Sequence, residues 1–293
     1  MNGLVLLNKP KGITSFSAVS AVKRICCEKR VGHTGTLDPM ATGVLPVLLG
    51  RATRLCPFIM DADKRYTATI KFGTTTDTLD ITGTVLSQTP CSITRQQLSL
   101  VLTEFTGEIF QVPPMYSAIK KDGVRLYELA RKGIEVERKA RRVFIKSIEI
   151  LQCVEENVFI LDVVCSKGTY IRTLVDDIGK KLGCGAVLME LCRTETAGFK
   201  LEGCITLEQL EKQPEQLILP AQQAVEQLSS IFVSDAQTRR FLNGGELDFA
   251  RLKRTDFSES YYKVFGADKF LGIGRADTNL QKVYVECVIA EQD

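Results

Sequence analysis

Asp38 is the residue of this chain that is best placed to do chemistry. It lies in the stretch 31–46, VGHTGTLDPMATGVLP, whose three glycines and two prolines prevent a continuous helix or strand. Pro39 restricts Asp38 to extended backbone, and the apolar run 44–49 that follows is typical of a buried anchor. A carboxylate on such a stiff loop can act as a nucleophile or as a general base. The alternative is a turn residue that hydrogen-bonds to its own backbone.

The other polar side chains exclude several kinds of site. His33 is the only histidine, so a site with two or three histidine ligands cannot be built, and no serine or cysteine motif indicates a nucleophile–histidine pair. Asp77 and Asp80 are two carboxylates without a third ligand, which favours turn capping over metal binding. The sequence therefore predicts no metal site.

The ten cysteines contain no Cys-x-x-Cys pair, so a zinc ribbon is not predicted. The start of the chain has too short an apolar stretch for a signal peptide, and we expect no disulfides. We expect most of the cysteines to be small buried side chains. No apolar run approaches the roughly 18 residues that span a membrane, which predicts a soluble, cytoplasmic protein.

Positive charge is concentrated in one segment. The net charge is only +3, but residues 120–146 hold ten Lys or Arg against four Asp or Glu. Such a segment is typical of a surface that faces nucleic acid, and the alternative is a solvated helix face. Lys9 and Lys11, in an early turn, either contact a phosphate backbone or only solvate that turn.

An α+β set of elements must position these residues. An apolar run at 4–7 predicts a first strand, and Thr14 or Ser15 caps a helix to about Cys26. The apolar face of that helix is predicted to hold Phe16, Val19, Val22 and Ile25. Further strands are expected at 66–72, 143–151 and 158–165, and further helices after Thr94, through 174–182 and after Thr206.

Residues 230–293 are predicted to form a second, smaller unit. Four short strands are expected in it, at 231–233, 261–265, 270–276 and 283–288, with a short helix at 236–243. Several strands with glycine turns in so short a piece indicate a small β-barrel or a barrel-like module. We place the domain boundary between residues 229 and 230.

Several motifs together resemble one known family. Residues 32–46 match the pattern G-H-T-G-x-L-D-P-x-A-x-G-V-L-P without a gap, residues 9–15 match K-P-x-G-x-T-S, and residues 166–174 match S-x-G-T-Y-I-R-[ST]-L. The chain resembles the TruB family of tRNA pseudouridine synthases, of the bacterial type, over residues 3 to about 200. The match of residues 230–293 to the PUA-type RNA-binding domain of that family is looser.

The resemblance implies a fold. The catalytic domain, residues 1–229, would be a mixed β-sheet with flanking helices and an RNA-binding insertion at about 112–142. A small C-terminal β-barrel-like PUA-type domain would follow at 230–293.

The resemblance also implies an activity. Uridine 55 in the T loop of tRNA would be converted to pseudouridine, with the target base flipped out of its stack and without a cofactor. The partner would be the T-arm stem-loop of tRNA, with no membrane involved, and the protein would be a monomer.

Roles for five residues follow from the resemblance. Asp38 would be the catalytic aspartate, and Arg172 would pair with it. Tyr66 would lie against the target base, Leu191 would form an apolar wall, and His33 would fill the space that the flipped base vacates.

Two other functions stay open at this point. One is a non-catalytic RNA-binding or tRNA-folding protein that uses the same basic surface. The other is a related synthase that acts on another RNA or is guided by a separate RNA. A substitution of Asp38 separates the first from an enzyme, and the choice of substrate separates the second.

Overall fold

The computed structural model describes residues 1–121, 123–253 and 256–291 of the 293-residue chain. In chain order the strands are β1 (Gly3–Lys9), β2 (Val31–His33), β3 (Thr42–Leu49), β4 (Lys64–Phe72), β5 (Thr74–Thr76), β6 (Val85–Gln88), β7 (Gly107–Gln111), β8 (Lys120–Lys121), β9 (Val124–Arg125), β10 (Arg141–Glu155), β11 (Val158–Cys165), β12 (Ala186–Thr196), β13 (Phe199–Lys200), β14 (Leu219–Pro220), β15 (Ser230–Val233), β16 (Leu247–Asp248), β17 (Tyr261–Gly266), β18 (Lys269–Asp277) and β19 (Lys282–Val288). The helices are α1 (Ser15–Ile25), α2 (Cys56–Met60), α3 (Arg95–Leu102), α4 (Leu126–Ala130), α5 (Ile171–Lys181), α6 (Leu207–Lys212) and α7 (Asp235–Leu242).

The larger of the two main sheets is mixed, as the family resemblance implies. Its strand order is β14-β1-β3-β12-β4-β11-β10-β7, with β2 beside β3 and β13 beside β12. The pairing of β3 with β12 is parallel, through Thr42 with Cys192 and Gly43 with Arg193. The other pairings in this sheet are antiparallel. The loop that carries Asp38 enters the sheet at this parallel junction.

Both faces of the sheet are buried around β1 and β3. Val5 and Leu7 pack with helices α1 and α6, whereas Leu4 and Leu6 pack on the opposite side, towards the C-terminal sheet. Because side chains alternate along a strand, a continuous apolar run such as 44–49 indicates a strand covered on both sides. The predicted buried anchor for the Asp38 loop is therefore confirmed as β3.

Helix α1 begins where the sequence predicts and buries most of the predicted face. The side chain of Thr14 accepts a hydrogen bond from the N–H of Ser17 and caps the helix. Ala18, Val22 and Cys26 enter the core, whereas Phe16 is 77% exposed. Of the predicted apolar face, Val22 lies in the core, and Val19 and Ile25 pack against it half-buried. Only Phe16 was wrong, because it lies two positions from Ala18 and hence on the other side of the helix.

The predicted insertion leaves the large sheet after β7 and returns to it at β10. It contains the β8–β9 pair and the short helix α4. Leu126 is buried, but the other described residues from 120 to 142 are exposed or half-buried. The basic segment is therefore mostly a solvent-facing surface.

The C-terminal unit is a five-stranded sheet of order β15-β17-β18-β19-β16, covered by α7. It is barrel-like, as expected, and packs directly on the large sheet. Phe270, Ile273 and Ile289 share one apolar cluster with Leu4 and Leu48. The guanidinium groups of Arg51 and Arg54 donate hydrogen bonds to the carbonyls of Ala290 and Val288, at 2.6 and 2.9 Å.

The ten cysteines are all free thiols. Cys26, Cys165 and Cys184 are buried, five others are half-buried, and Cys27 and Cys153 are exposed. The expectation that most would be buried was wrong, because several lie at strand ends and in turns. None of the helices in the described part of the chain has the length and apolar composition that a bilayer-spanning helix needs.

Candidate active site

A cleft of about 610 Å³ opens where the Asp38 loop meets β4, β12 and the start of α5. Four of the five predicted site residues line it: Asp38, Tyr66, Arg172 and Leu191. Its other walls come from residues 34–37, Met60, Asp61, Lys64, residues 117–119, residues 141–143, residues 166–171 and Arg193. Segments distant in sequence therefore converge on one cavity.

The Asp38 loop is held by hydrogen bonds from a distant helix and turn. The buried hydroxyl of Ser15 accepts from the N–H of Leu37 at 2.8 Å and donates to the carbonyl of Leu37 at 3.0 Å. The N–H of Gly12 donates to the carbonyl of Pro39 at 2.8 Å. These bonds fix the backbone on both sides of Asp38, as the predicted stiffness requires.

Gly43, where the loop passes into β3, must be glycine for two reasons. Its φ of +106° lies in the region that side chains disfavour. A Cβ atom at this position would lie 2.2 Å from the carbonyl oxygen of Arg193. Glycine thus allows the close parallel approach of β3 and β12 beside the cleft.

Asp38 and Arg172 form a two-pronged ion pair. The Nε and a terminal nitrogen of Arg172 donate to the two carboxylate oxygens of Asp38 at 2.8 and 3.0 Å. The side chain of Asp38 is 33% exposed and that of Arg172 only 4%. The carboxylate is therefore oriented from below by a buried cation and remains open to the cleft from above.

Arg172 is itself fixed by two further loops. Its guanidinium donates to the carbonyls of Thr78 and Tyr116 at 2.9 and 2.8 Å. The buried carboxylate of Asp80 lies 3.7 Å from the same group. A guanidinium with so many partners has little freedom to move, so its position defines that of Asp38.

Asp77 and Asp80 are turn caps, as we predicted. Asp77 accepts from the N–H of Thr84 at 2.7 Å, and Asp80 accepts from the N–H of Thr82 and the hydroxyl of Thr78. Within the described residues, no group of three His, Cys, Asp or Glu side chains is arranged to hold a metal ion.

Tyr66 and Leu191 belong to one face of the sheet. Tyr66 on β4 pairs with Arg193 on β12, and Ala68 pairs with Leu191. Because residues two apart share a face, Leu191 and Arg193 lie side by side and both line the cleft. Burial raises the pKa of the Tyr66 phenol above its usual value, so the hydroxyl is neutral at physiological pH.

His33 lies on β2, next to the cleft rather than among the residues that line it. Its Nδ1 accepts a hydrogen bond from the N–H of Gly35 at 3.3 Å. Burial, and then the nearby charge of Arg193, lower the pKa of the imidazole. The side chain is therefore an uncharged ring at the start of the Asp38 loop.

Lys9 is buried, and the expectation that it faces a phosphate backbone or solvent was wrong. Its ammonium donates to the carbonyls of Pro10 and Ile13 at 2.8 Å each, and to that of Pro39 at 3.5 Å. Burial lowers its pKa to about 8, while the nearby Asp38 acts in the opposite direction. Lys9 thus holds the Asp38 loop through its bond to Pro39. The carbonyls of Pro10 and Ile13 take the place of water around its ammonium.

Sequence reasoning missed two charged residues of this site. Arg193 is buried and donates to carbonyls of the Asp38 loop, and Asp80 lies beside Arg172. The signal for Arg193 was its place on the same strand as Leu191 and two residues after it, which puts both side chains on one face. For Asp80 the sequence indicated only a turn cap, because the closeness of its carboxylate to Arg172 depends on the tertiary fold.

Comparison with known proteins agrees with this geometry. The TruB family pseudouridylate synthase N-terminal domain matches residues 23–171, and the tRNA pseudouridylate synthase B C-terminal domain matches residues 172–226. A protein named tRNA pseudouridine synthase B from Clostridium tetani is 46% identical over 277 residues, which cover 94% of this chain and 96% of that protein. One of the same name from Azoarcus sp. is 44% identical, over 94% of this chain and 91% of that protein.

Solved structures are similar over nearly the whole chain. A chain in the structure of an H/ACA RNP bound to a substrate RNA containing 2'-deoxyuridine has a TM-score of 0.76 and 27% identity, with 99% of this chain and 86% of that chain covered. A chain of the archaeal box H/ACA sRNP Nop10-Cbf5 complex has a TM-score of 0.73 and 28% identity, with 99% and 87% covered. By its motifs, its fold and its relatives, the chain belongs to the TruB family of pseudouridylate synthases.

Proposed function

We propose that this protein converts uridine 55 in the T loop of tRNA to pseudouridine, as a monomer and without a cofactor. The observation that carries this proposal is the ion pair of Asp38 and Arg172, which presents one oriented carboxylate to the cleft.

The reaction needs an anionic group but no redox partner. The bond between N1 of uracil and C1' of ribose breaks, and a bond between C5 and C1' forms. C5 loses its proton, and N1 gains one, so atoms and electrons balance within the nucleotide and solvent. Asp38 supplies the anionic group, as a nucleophile or as a general base.

The neighbouring side chains suit a base that has left its stack. Flipping the base out costs about a few kcal/mol. In our proposal the ring of Tyr66 stacks on the flipped uracil, and Leu191 covers it from the apolar side. The uncharged ring of His33, beside the cleft, fills the space left in the RNA.

The basic surface and the C-terminal unit would hold the RNA. The outer insertion, which we define as residues 120–142, is solvent-facing and rich in Lys and Arg. We propose that residues 230–293 act as a PUA-like RNA-binding domain, with residues 1–229 as the catalytic domain. The higher identity to proteins named tRNA pseudouridine synthase B, 46% against 27% for the H/ACA RNP chain, supports tRNA as the substrate.

The test is pseudouridine formation in an unmodified tRNA and in its isolated T-arm stem-loop. Tritium released from [5-³H]uridine reports the loss of the C5 proton. Asp38→Asn should abolish turnover while RNA affinity stays within about tenfold, because phosphate contacts dominate binding. The matched control is Asp61→Asn, which changes an exposed cleft carboxylate paired with Lys167 and should leave turnover nearly unchanged.

Two results would contradict the proposal. Binding of tRNA without product from the wild-type protein would favour an RNA-folding protein or another RNA target. A loss of RNA affinity far beyond tenfold in Asp38→Asn would contradict the separation of chemistry from binding.

A further inference from the structure

Arg193 is a buried cation whose side chain donates to backbone carbonyls. It is only 1% exposed, and none of the ion pairs within 4 Å among the described residues includes it. Burying an unpaired charge is costly, and a neutral side chain of similar volume would pack in the same place without that cost. Packing alone therefore does not account for a guanidinium at this position.

The hydrogen bonds of Arg193 join the two arms of the Asp38 loop. Its Nε donates to the carbonyl of Val44 at 2.8 Å, and a terminal nitrogen donates to the carbonyl of Gly35 at 3.1 Å. Gly35 precedes Asp38 and Val44 follows it, so one planar group spans the loop. The backbone of Arg193 also pairs with Gly43 in the parallel junction.

The same guanidinium lies beside the tyrosine of the cleft. Arg193 and Tyr66 are directly opposite each other on β12 and β4, and both line the cleft. The charge of Arg193 lowers the pKa of Tyr66 and so opposes part of the effect of burial. Arg193 thus contacts both the loop of Asp38 and the surroundings of Tyr66.

We propose that Arg193 is a positioning residue, which clamps the Asp38 loop to β12 and fixes a positive charge beside Tyr66. It acts on the reaction through Asp38 and Tyr66. This inference rests on the proposed function and deepens it, because it assigns a role to a residue outside the five that the sequence indicated.

The first measurement separates chemistry from binding. Arg193→Met keeps the volume but removes the charge and the donors, and Arg193→Lys keeps the charge. We expect Arg193→Met to lower the single-turnover rate at saturating enzyme by at least about 100-fold, as for a displaced catalytic group, with the RNA Kd within about threefold. Arg193→Lys should recover at least about tenfold of that loss.

The matched control is Arg65→Met. Arg65 lies on β4 next to Tyr66, but its side chain is 51% exposed and pairs with Asp162. This variant should change neither the single-turnover rate nor the RNA Kd by more than about threefold.

The second measurement does not depend on activity. Hydrogen–deuterium exchange of peptides over residues 34–42, in the free protein, reports the order of the loop. We expect exchange there to be at least about tenfold faster in Arg193→Met and unchanged in Arg65→Met. If Arg193→Met does not fold, Arg193→Lys is used for both measurements, with a smaller change in the same direction.

Unchanged exchange of the loop would overturn the positioning role, and so would a single-turnover rate within threefold of wild type. A wild-type protein that makes no pseudouridine would instead contradict the proposed function, while the exchange measurement would still decide whether Arg193 orders the loop.

Discussion

The Asp38 loop and the outer insertion are both irregular segments, but other parts of the chain hold the loop in place and leave the insertion exposed to solvent. The loop receives hydrogen bonds from Ser15, from Gly12 and from Arg193, and its Asp38 is paired with a buried arginine. Most described residues of the outer insertion, 120–142, are exposed to solvent. Many of its hydrogen bonds join residues of the insertion to each other, such as that from the ammonium of Lys121 to the carbonyl of Glu137 at 3.1 Å.

This difference in how firmly the two segments are held corresponds to two tasks, holding a reacting carboxylate and binding a phosphate backbone. A reacting carboxylate must hold one geometry, so distant elements fix its loop. A surface that meets a phosphate backbone gains most from charge, and charge tolerates small displacements. Glycine and proline are more frequent in the Asp38 loop, five in residues 31–46 against two in residues 120–142, but composition alone does not show how firmly either segment is held. The number of partners from distant elements does distinguish them.

The largest effect on the rate is expected when Arg172, the cation paired with Asp38, is replaced. Arg172→Met leaves Asp38 and the nearby Asp80 without their shared partner, so the single-turnover rate should fall by about 1000-fold. Arg131→Met in the outer insertion is the control and should stay within about threefold. Rapid-quench assays with saturating enzyme measure both. A rate for Arg172→Met within tenfold of wild type would contradict the contrast between the two segments.

A second test compares two glycines with positive φ. Gly43→Ala places a methyl group 2.2 Å from a backbone oxygen and should lower the free energy of unfolding by about 3 kcal/mol. Gly133→Ala, in the outer insertion, meets no atom within 4 Å and should cost only about 1 kcal/mol for its φ of +71°. Denaturant unfolding gives both values, and equal costs would show that the loop is no tighter than the insertion.

A third test uses the buried lysine beneath the loop. The pKa of Lys9 is about 8 in the folded protein, below its usual value of 10.5. Between these pH values the unfolded chain binds the proton that the folded chain lacks, so stability contributed by Lys9 rises with pH. Relative to Lys9→Met, wild type should gain up to about 3 kcal/mol from pH 8 to 10.5. Lys132→Met, at an exposed lysine, should show no such pH-dependent difference from wild type.

The smallest effect on the reaction is expected when charges of the outer insertion are reversed. Reversing the charge of two exposed residues, Arg131→Glu with Lys132→Glu, should weaken RNA binding by about tenfold and make it less dependent on salt. The single-turnover rate at saturating enzyme should not change. Filter binding at several salt concentrations, with the rate measured in parallel, tests this. A slower chemical step would mean that the insertion shapes the cleft.

Strongly patterned elements of the fold were predictable from the sequence. The apolar run 44–49, the hairpin of 143–151 with 158–165 and the helix capped by Thr94 are present as β3, β10, β11 and α3. Each of these elements depends on a local pattern of apolar residues or on a local helix cap, and both are visible directly in the sequence. On α1 only Phe16 was assigned to the wrong side, because large apolar residues lie on both sides of that helix.

The site was only partly predictable. The resemblance indicated Asp38 with Arg172, and the structure contains that ion pair. The burial of Lys9 could not be inferred, because a lysine in a turn is normally solvated and its carbonyl partners come from the turn and from Pro39. Arg193 was overlooked for a similar reason, since its acceptors are backbone carbonyls that carry no sequence signal.

The parallel junction between β3 and β12 also bears on how the chain folds. Asp38 and Arg172 are 134 residues apart in sequence, and β12 follows both of them. Closing so long a loop is slow, because its entropy is lost before the distant contacts form. We therefore expect the two halves of the cleft to meet late in folding, since during synthesis no segment shorter than about the first 196 residues contains the complete junction. The ion pair is thus a reporter of a late folding step as well as part of the site.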